Sequence, residues 1–250
     1  MHPLDDLDAI KSRFIAARGY WRPWTEALLR ANPAFLSHYA DYAGYPARTG
    51  PLTPRMVELV YVALDASATH LYEPGLATHL RMAREAGASE ADVFDVLHLV
   101  TVQGLSAVLQ AADVLHQAAP VAALPPDEAL CARIHARWPE QAPSLLRLAA
   151  QDPGYVAVLL DFVEGGAPAA GLTPAERLLV RIALHACFTQ ADRQTLQTLI
   201  PHALAEGVAR SEILQVIQLG AHLAVHGASL GATAYAKIAG GVAPPADGPA

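Results

Sequence analysis

Two polar residues stand where helical periodicity calls for packing. Glu58 sits between Val57 and Leu59 in a stretch whose apolar residues Val57, Val60, Tyr61 and Leu64 recur at helical spacing, and His79 lies in the next such stretch, eight residues before Gly87. A carboxylate and an imidazole within reach of each other make an acid–base pair. The carboxylate orients the ring and steadies its protonated form, while the ring gives or takes a proton near neutral pH. Burying a carboxylate on an apolar face is costly unless it is partnered, so Glu58 needs a partner, and His79 is the obvious one.

The chain carries its own control. Shifted by 120 residues, Leu52-Thr53-Pro54 falls on Leu172-Thr173-Pro174, Ala63-Leu64 on Ala183-Leu184, Gly87 on Gly207 and Val96 on Val216. Upstream, Pro23, Leu28 and Pro33 meet Pro143, Leu148 and Pro153 in the same register. One unbroken offset predicts an internal duplication. Near the end of each copy the offset becomes 123, where Gln103-Gly104-Leu105-Ser106 resembles His226-Gly227-Ala228-Ser229. The counterparts of Glu58 and His79 are Leu178 and Leu199. Packing alone therefore does not demand a charge at either place, and only the first copy keeps the pair.

The elements that must position the pair are helices. Alanine and leucine dominate, aromatics are 6%, and β-branched residues fall singly inside helix-period patterns, which predicts an all-α fold. Thr53-Pro54 opens one helix, Glu73-Pro74 a second that stops at Gly87, and Ser89 with Asp92 caps a third. The expected organisation is a first copy over 1–118, a proline-rich linker over 119–127, a second and degenerate copy over 128–239, and a disordered tail over 240–250.

Charge and composition exclude several classes. Seventeen basic residues against 24 acidic ones give a net charge of −7 with no basic run, so no nucleic-acid partner is expected. Mean hydropathy is +0.24, yet polar residues interrupt the apolar stretches, which predicts a soluble protein with apolar subunit interfaces and no membrane segment. No secretory leader is legible at the N-terminus, so the cytosol is the expected location. Cys131 and Cys187 lie far apart, with no CxxC, and are expected to be buried thiols.

The stretch Leu52 to Leu115 resembles the carboxymuconolactone decarboxylase and alkyl hydroperoxidase D family. The residues that carry the resemblance are Glu58-Leu59, His79, Gly87-Ala88-Ser89-Glu90 and Gly104, in that order and spacing, and Leu172 to Ile238 fits the same outline more loosely. The resemblance implies a tandem form of that family's helical hairpin unit. Hydroperoxidase members carry a CxxC just before the His, whereas this chain reads His70-Leu71-Tyr72-Glu73-Pro74-Gly75, so dithiol peroxide reduction is not expected. What remains is the decarboxylase branch: cofactor-independent and metal-free acid–base chemistry on a small carboxylated or lactone-type substrate. In that reading His79 and Glu58 are catalytic, and His70, Tyr72, Glu73, Arg81 and Gln103 bind substrate. A non-catalytic assembly or small-molecule-binding protein with a relic site is the alternative.

Three further groups of residues bear on the site. His222 and His226 have metal-ligand spacing on one helix face, but no acidic residue or cysteine beside them completes a site, and no metal is expected. His98 and His116 read as solvated. The aromatics Trp21, Trp24, Tyr39, Tyr42 and Tyr45 read as core or interface, or as a roof over the first copy's pocket. Because members of the resembled family close into rings, a homotrimer is expected.

Overall fold

The computed structural model describes residues 7–120 and 127–239; the expected tail and all but the ends of the expected linker lie outside these residues. The described residues form α-helices without strands. In the first half these are α1 (Leu7–Arg18), α2 (Pro23–Ala31), α3 (Pro33–Thr49), α4 (Pro54–Ala66), α5 (Glu73–Glu85), α6 (Glu90–Val102) and α7 (Leu105–Ala118). The second half follows with α8 (Glu128–Arg137), α9 (Ala142–Ala149), α10 (Pro153–Gly165), α11 (Pro174–Ala186), α12 (Arg193–Ala205), α13 (Arg210–Ala221), a 3-10 turn (His222–Ala224) and α14 (Val225–Ile238).

Local chemistry sets the ends. The hydroxyls of Thr53 and Thr173 accept from the backbone N–H groups of Met56 and Glu176, with a proline at the first helical position in both cases. Ser89 and Asp92 exchange the reciprocal bonds of a capping box. Gly87 and Gly207 take left-handed φ values of +90° and +87°, where a Cβ would be strained. Leu71 and Ala191, also 120 residues apart, have φ of 49° and 48° in the tight turns that enter α5 and α12. Left-handed backbone is unusual for residues with a Cβ, and its presence at both positions marks the same turn built twice.

The 120-residue offset also organises the contacts. The Leu52 N–H donates to Gln215 Oε1 at 2.8 Å, and the Leu172 N–H donates to Asp95 Oδ2 at 2.8 Å. Each helix entry is thus held by the other half, through residues that are themselves 120 apart. Thr69 Oγ1 donates to Thr189 Oγ1 at 3.0 Å, so these counterparts meet each other. A residue that touches its own counterpart lies on a local twofold axis. Around that axis α4 and α11 form a shared core, in which Leu59, Val60, Tyr61 and Leu64 are buried with Ile182, Leu184, Leu199 and Leu219.

Two smaller cores show that the halves interlock. Val102, Leu105 and Leu109 of the first half pack with Leu130, Ile134, Trp138 and Leu160 of the second. Val225 of the second half packs with Phe14, Trp24, Leu36 and Tyr39 of the first. The stretches Glu90–Ala118 and Arg210–Ile238 run 29 residues each and are apolar and long enough to cross a membrane, contrary to the expectation that polar residues break them sooner. Within the most apolar 18-residue window of each, 56% and 50% is buried inside the chain's own core, which gives their apolar residues a packing role.

Candidate active site

Glu58 and His79 meet across α4 and α5, with Glu58 Oε2 at 2.6 Å from His79 Nδ1. A carboxylate oxygen can only accept, so Nδ1 carries the shared proton and Nε2 is left for other chemistry. The His79 ring stacks on Tyr61 with centroids 4.5 Å apart, which fixes its plane. Burial holds the His79 pKa below the usual imidazole value, against the opposing pull of Glu58, and Arg18 and Arg22 lower it further. At rest the ring is neutral.

His79, but not Glu58, lines a cavity; the carboxylate stands behind the ring. The space is about 20 Å³, room for little more than one water. Its walls come from three places. α4 and α5 give Tyr61, Asp65 and His79; the N-terminal helices give Arg18, Trp24 and Tyr39; the second half gives His222 and His226. Of the aromatic group, Trp24 and Tyr39 therefore do roof the cavity. Trp21 packs edge-on to Phe14 instead, and Tyr42 and Tyr45 are exposed.

Arg18 is the feature that sequence reading missed. Arg18 is 8% exposed; its guanidinium donates to the Ala43 carbonyl at 3.2 Å, and its Nη2 lies 3.2 Å from His222 Nε2. The rings of Tyr20 and Tyr61 lie within 6 Å of the guanidinium and offset part of the charge. Among the described residues no carboxylate comes within 4 Å of Arg18. Guanidinium only donates, so His222 accepts through Nε2 and is neutral, in keeping with a pKa that burial and then Arg18 push well below the ordinary value. Asp65, 1% exposed, has its carboxyl pushed up to about 7 by burial. Burial, and then His70, push His226 down to about 3.

The other residues singled out from the sequence divide. Tyr72 lines the cavity and stacks on His226 with centroids 3.7 Å apart. His70 stands one layer back, its Nε2 at 2.7 Å from His226 Nδ1. Glu73 is exposed in the first turn of α5 and does not reach the cavity. Arg81 does not reach it either: the helix turns it outward, where it pairs with Glu85 at 2.9 Å. Gln103 is buried elsewhere, accepting from Ser67 Oγ at 2.8 Å and lining a different cavity beside Arg181 and His185. His98 is not solvated but buried under Phe162, with Nε2 at 3.2 Å from the Val163 carbonyl. Cys131 and Cys187 form no disulfide, and neither lines the cavity of His79.

The helical hairpin of α4 and α5 thus places a glutamate behind a cavity-lining histidine. Residues 33–117 match the model of the carboxymuconolactone decarboxylase family. Over nearly its whole length the chain is similar to a solved structure from Burkholderia xenovorans LB400 named a "putative gamma-carboxymuconolactone decarboxylase subunit". The two are 26% identical, superpose with a TM-score of 0.88, and cover 95% of this chain and 99% of that one. No curated protein matches the sequence.

Proposed function

We propose that this protein is a tandem-duplicated, acid–base enzyme that acts on a small carboxylated, lactone-type substrate, with one working site per chain. The observation that carries the reading is Arg18: a buried guanidinium that, among the described residues, has no carboxylate within 4 Å and feels Asp65 only from across the cavity it shares with a histidine backed by a glutamate. A buried charge without a counter-ion is costly, and a substrate carboxylate would complete it. The family of residues 33–117 favours decarboxylation over other acid–base reactions.

In such a reaction the bond from carbon to the substrate carboxylate breaks and carbon dioxide leaves. Its electron pair passes into the conjugated lactone as a dienolate, which then takes one proton at carbon. His79 Nε2 is placed to deliver that proton, while Glu58 holds Nδ1–H and steadies the imidazolium. The resting ring is neutral partly because Arg18 opposes its charge. A substrate anion on Arg18 offsets that opposition and favours a proton on His79, while burial remains the larger influence on the ring. The cavity holds little more than a water, so a lactone acid has to shift side chains at the mouth, where Arg22 reaches across to the Pro74 carbonyl and the Thr78 hydroxyl.

Self-association as a homotrimer belongs to the same proposal. Leu230, Tyr235 and Ile238 on α14 are 73%, 71% and 84% exposed, and Val114 and Leu115 on α7 are exposed as well, so both terminal helices present apolar faces without cover. Light scattering should give a trimer, and a stable monomer of 26.4 kDa would sink it. The test of the chemistry is a panel of lactone acids and β-keto acids read by carbon dioxide release and by deuterium incorporation at carbon. Release with one deuterium taken up per turnover is expected. Ligand binding without release or exchange would make the protein a binder with a relic site.

A further inference from the structure

Asp65, His70 and His226 form a cluster that the acid–base scheme does not use. The first two come from α4 and the turn after it, the third from α14, so the cluster exists only because the two halves interlock. His70 Nε2 lies 2.7 Å from His226 Nδ1, and Asp65 Oδ1 lies 3.8 Å from the first and 4.0 Å from the second. Three atoms with these separations share a point about 2.1 Å from each, which is the bond length of a first-row divalent ion to imidazole nitrogen and carboxylate oxygen. Asp65 is 1% exposed, and its Oδ1 has no hydrogen-bond partner among the described residues.

The second half builds the same place from other residues. The counterparts of Asp65, His70 and His226 are His185, Gln190 and Gln103. There the Gln103 amide donates to Gln190 Oε1, and the Gln190 amide lies 3.2 Å from His185 Nδ1, so the trio closes on itself. In the first half the two imidazoles share one proton between them, and the Asp65 oxygen beside them is left open. Packing thus accepts a self-satisfied trio at this location, while the first location has kept three residue types that ligate.

We infer that Asp65, His70 and His226 form a binding site for a divalent first-row transition metal ion, with two imidazole nitrogens and one carboxylate oxygen as ligands. Each ring then carries its remaining proton on the nitrogen turned away, and the proton that the two rings share moves there. Asp65 and His226 both line the cavity of His79, so a further coordination position faces that space. Two histidines and a carboxylate suit zinc, iron(II), cobalt(II) or manganese(II) better than calcium or magnesium, which prefer oxygen.

The test uses the full chain without a histidine tag, stripped with chelator, and titrated with Zn²⁺ by calorimetry and with Co²⁺ by visible absorption. One ion per chain is expected, at micromolar affinity or tighter, with the ligand-field bands of low-coordinate cobalt. His226→Gln and His70→Gln each install the residue that the other half carries at that place, and each should weaken binding at least 100-fold with an unchanged circular dichroism spectrum. Should one of them fail to fold, the other and Asp65→Asn report on the same ligands. Absence of stoichiometric binding, or binding that survives the double variant His70→Gln, His226→Gln, overturns the site. Neither readout depends on turnover, so the result stands apart from the decarboxylase reading.

Discussion

The cavity of His79 and its counterpart in the second half are built from matching positions and differ in how their charges are settled. In the first, Arg18 is buried with no carboxylate within 4 Å among the described residues. In the second, the buried cation is Arg181, which pairs with the buried Glu140 at 2.5 Å and lies over the Trp138 ring. Trp138 stands where the first half has Arg18, and Leu199 where it has His79. The second cavity is about 10 Å³ and needs nothing from outside. The comparison teaches that a scaffold with two matching halves can be read for function by asking which half leaves a charge unanswered.

The comparison breaks most sharply at His79. The double variant Glu58→Leu, His79→Leu copies the second half at both positions, so the chain should fold with a melting curve no lower than the parent's while turnover falls by about 10²–10⁴, the range for losing a positioned acid. If the soluble variant keeps its specific activity, His79 is structural. The mirror-image test is Glu140→Gln, which strips Arg181 of its counter-ion and should cost about 3–5 kcal/mol in urea unfolding with little change in kcat. Equal stability would mean that Arg181 reaches solvent.

Acid should expose the second half as well. Burial holds His185 down to about 4, below its unfolded value of 6.5, even with Asp192 at 3.3 Å. Between those values the unfolded chain binds the extra proton, so His185's contribution is full above pH 6.5 and is lost as pH falls towards 4. The loss amounts to about 3 kcal/mol at most. Denaturant midpoints across that window should flatten in His185→Gln; an unchanged slope would place the titration elsewhere.

Arg18→Gln sharpens the reading of the first cavity. Losing one charge-assisted contact should raise KM by about 10–100-fold. A fall in kcat alone, at constant KM, would remove Arg18 from substrate binding. The smallest effect is expected from Cys131→Ser with Cys187→Ser, which should leave activity unchanged. A folded but inactive double variant would show thiol chemistry.

Much of the fold was legible because helix ends are local. Thr53-Pro54, Ser89 with Asp92, and Gly87 announce their elements through capping chemistry that needs no tertiary context. Glu58 and His79 were legible because leucines stand opposite them in the repeat. Arg18 was not, since it lies upstream of the matched hairpin and nothing local shows that the end of α1 reaches Tyr61 of α4. Arg81 was chosen for nearness in sequence, but two positions from His79 a helix turns the side chain away. Gln103 and His226 share one motif, and the sequence could not tell that each motif serves the opposite half's cavity. That exchange also explains why His226 lacked an acidic neighbour along the chain: Asp65 lies 161 residues before it.

The interlocking of the halves has a consequence for inheritance. In a symmetric pair of identical chains, every residue must serve at both cavities, so a change that improves one site is imposed on its twin. Once Leu52 answers to Gln215 and Leu172 to Asp95 on a single polypeptide, that obligation ends. Leu199, Glu140 and Gln103 can then be selected for rigidity while His79, Arg18 and His226 are selected for chemistry, and a chain cut between the halves would lose both sites together.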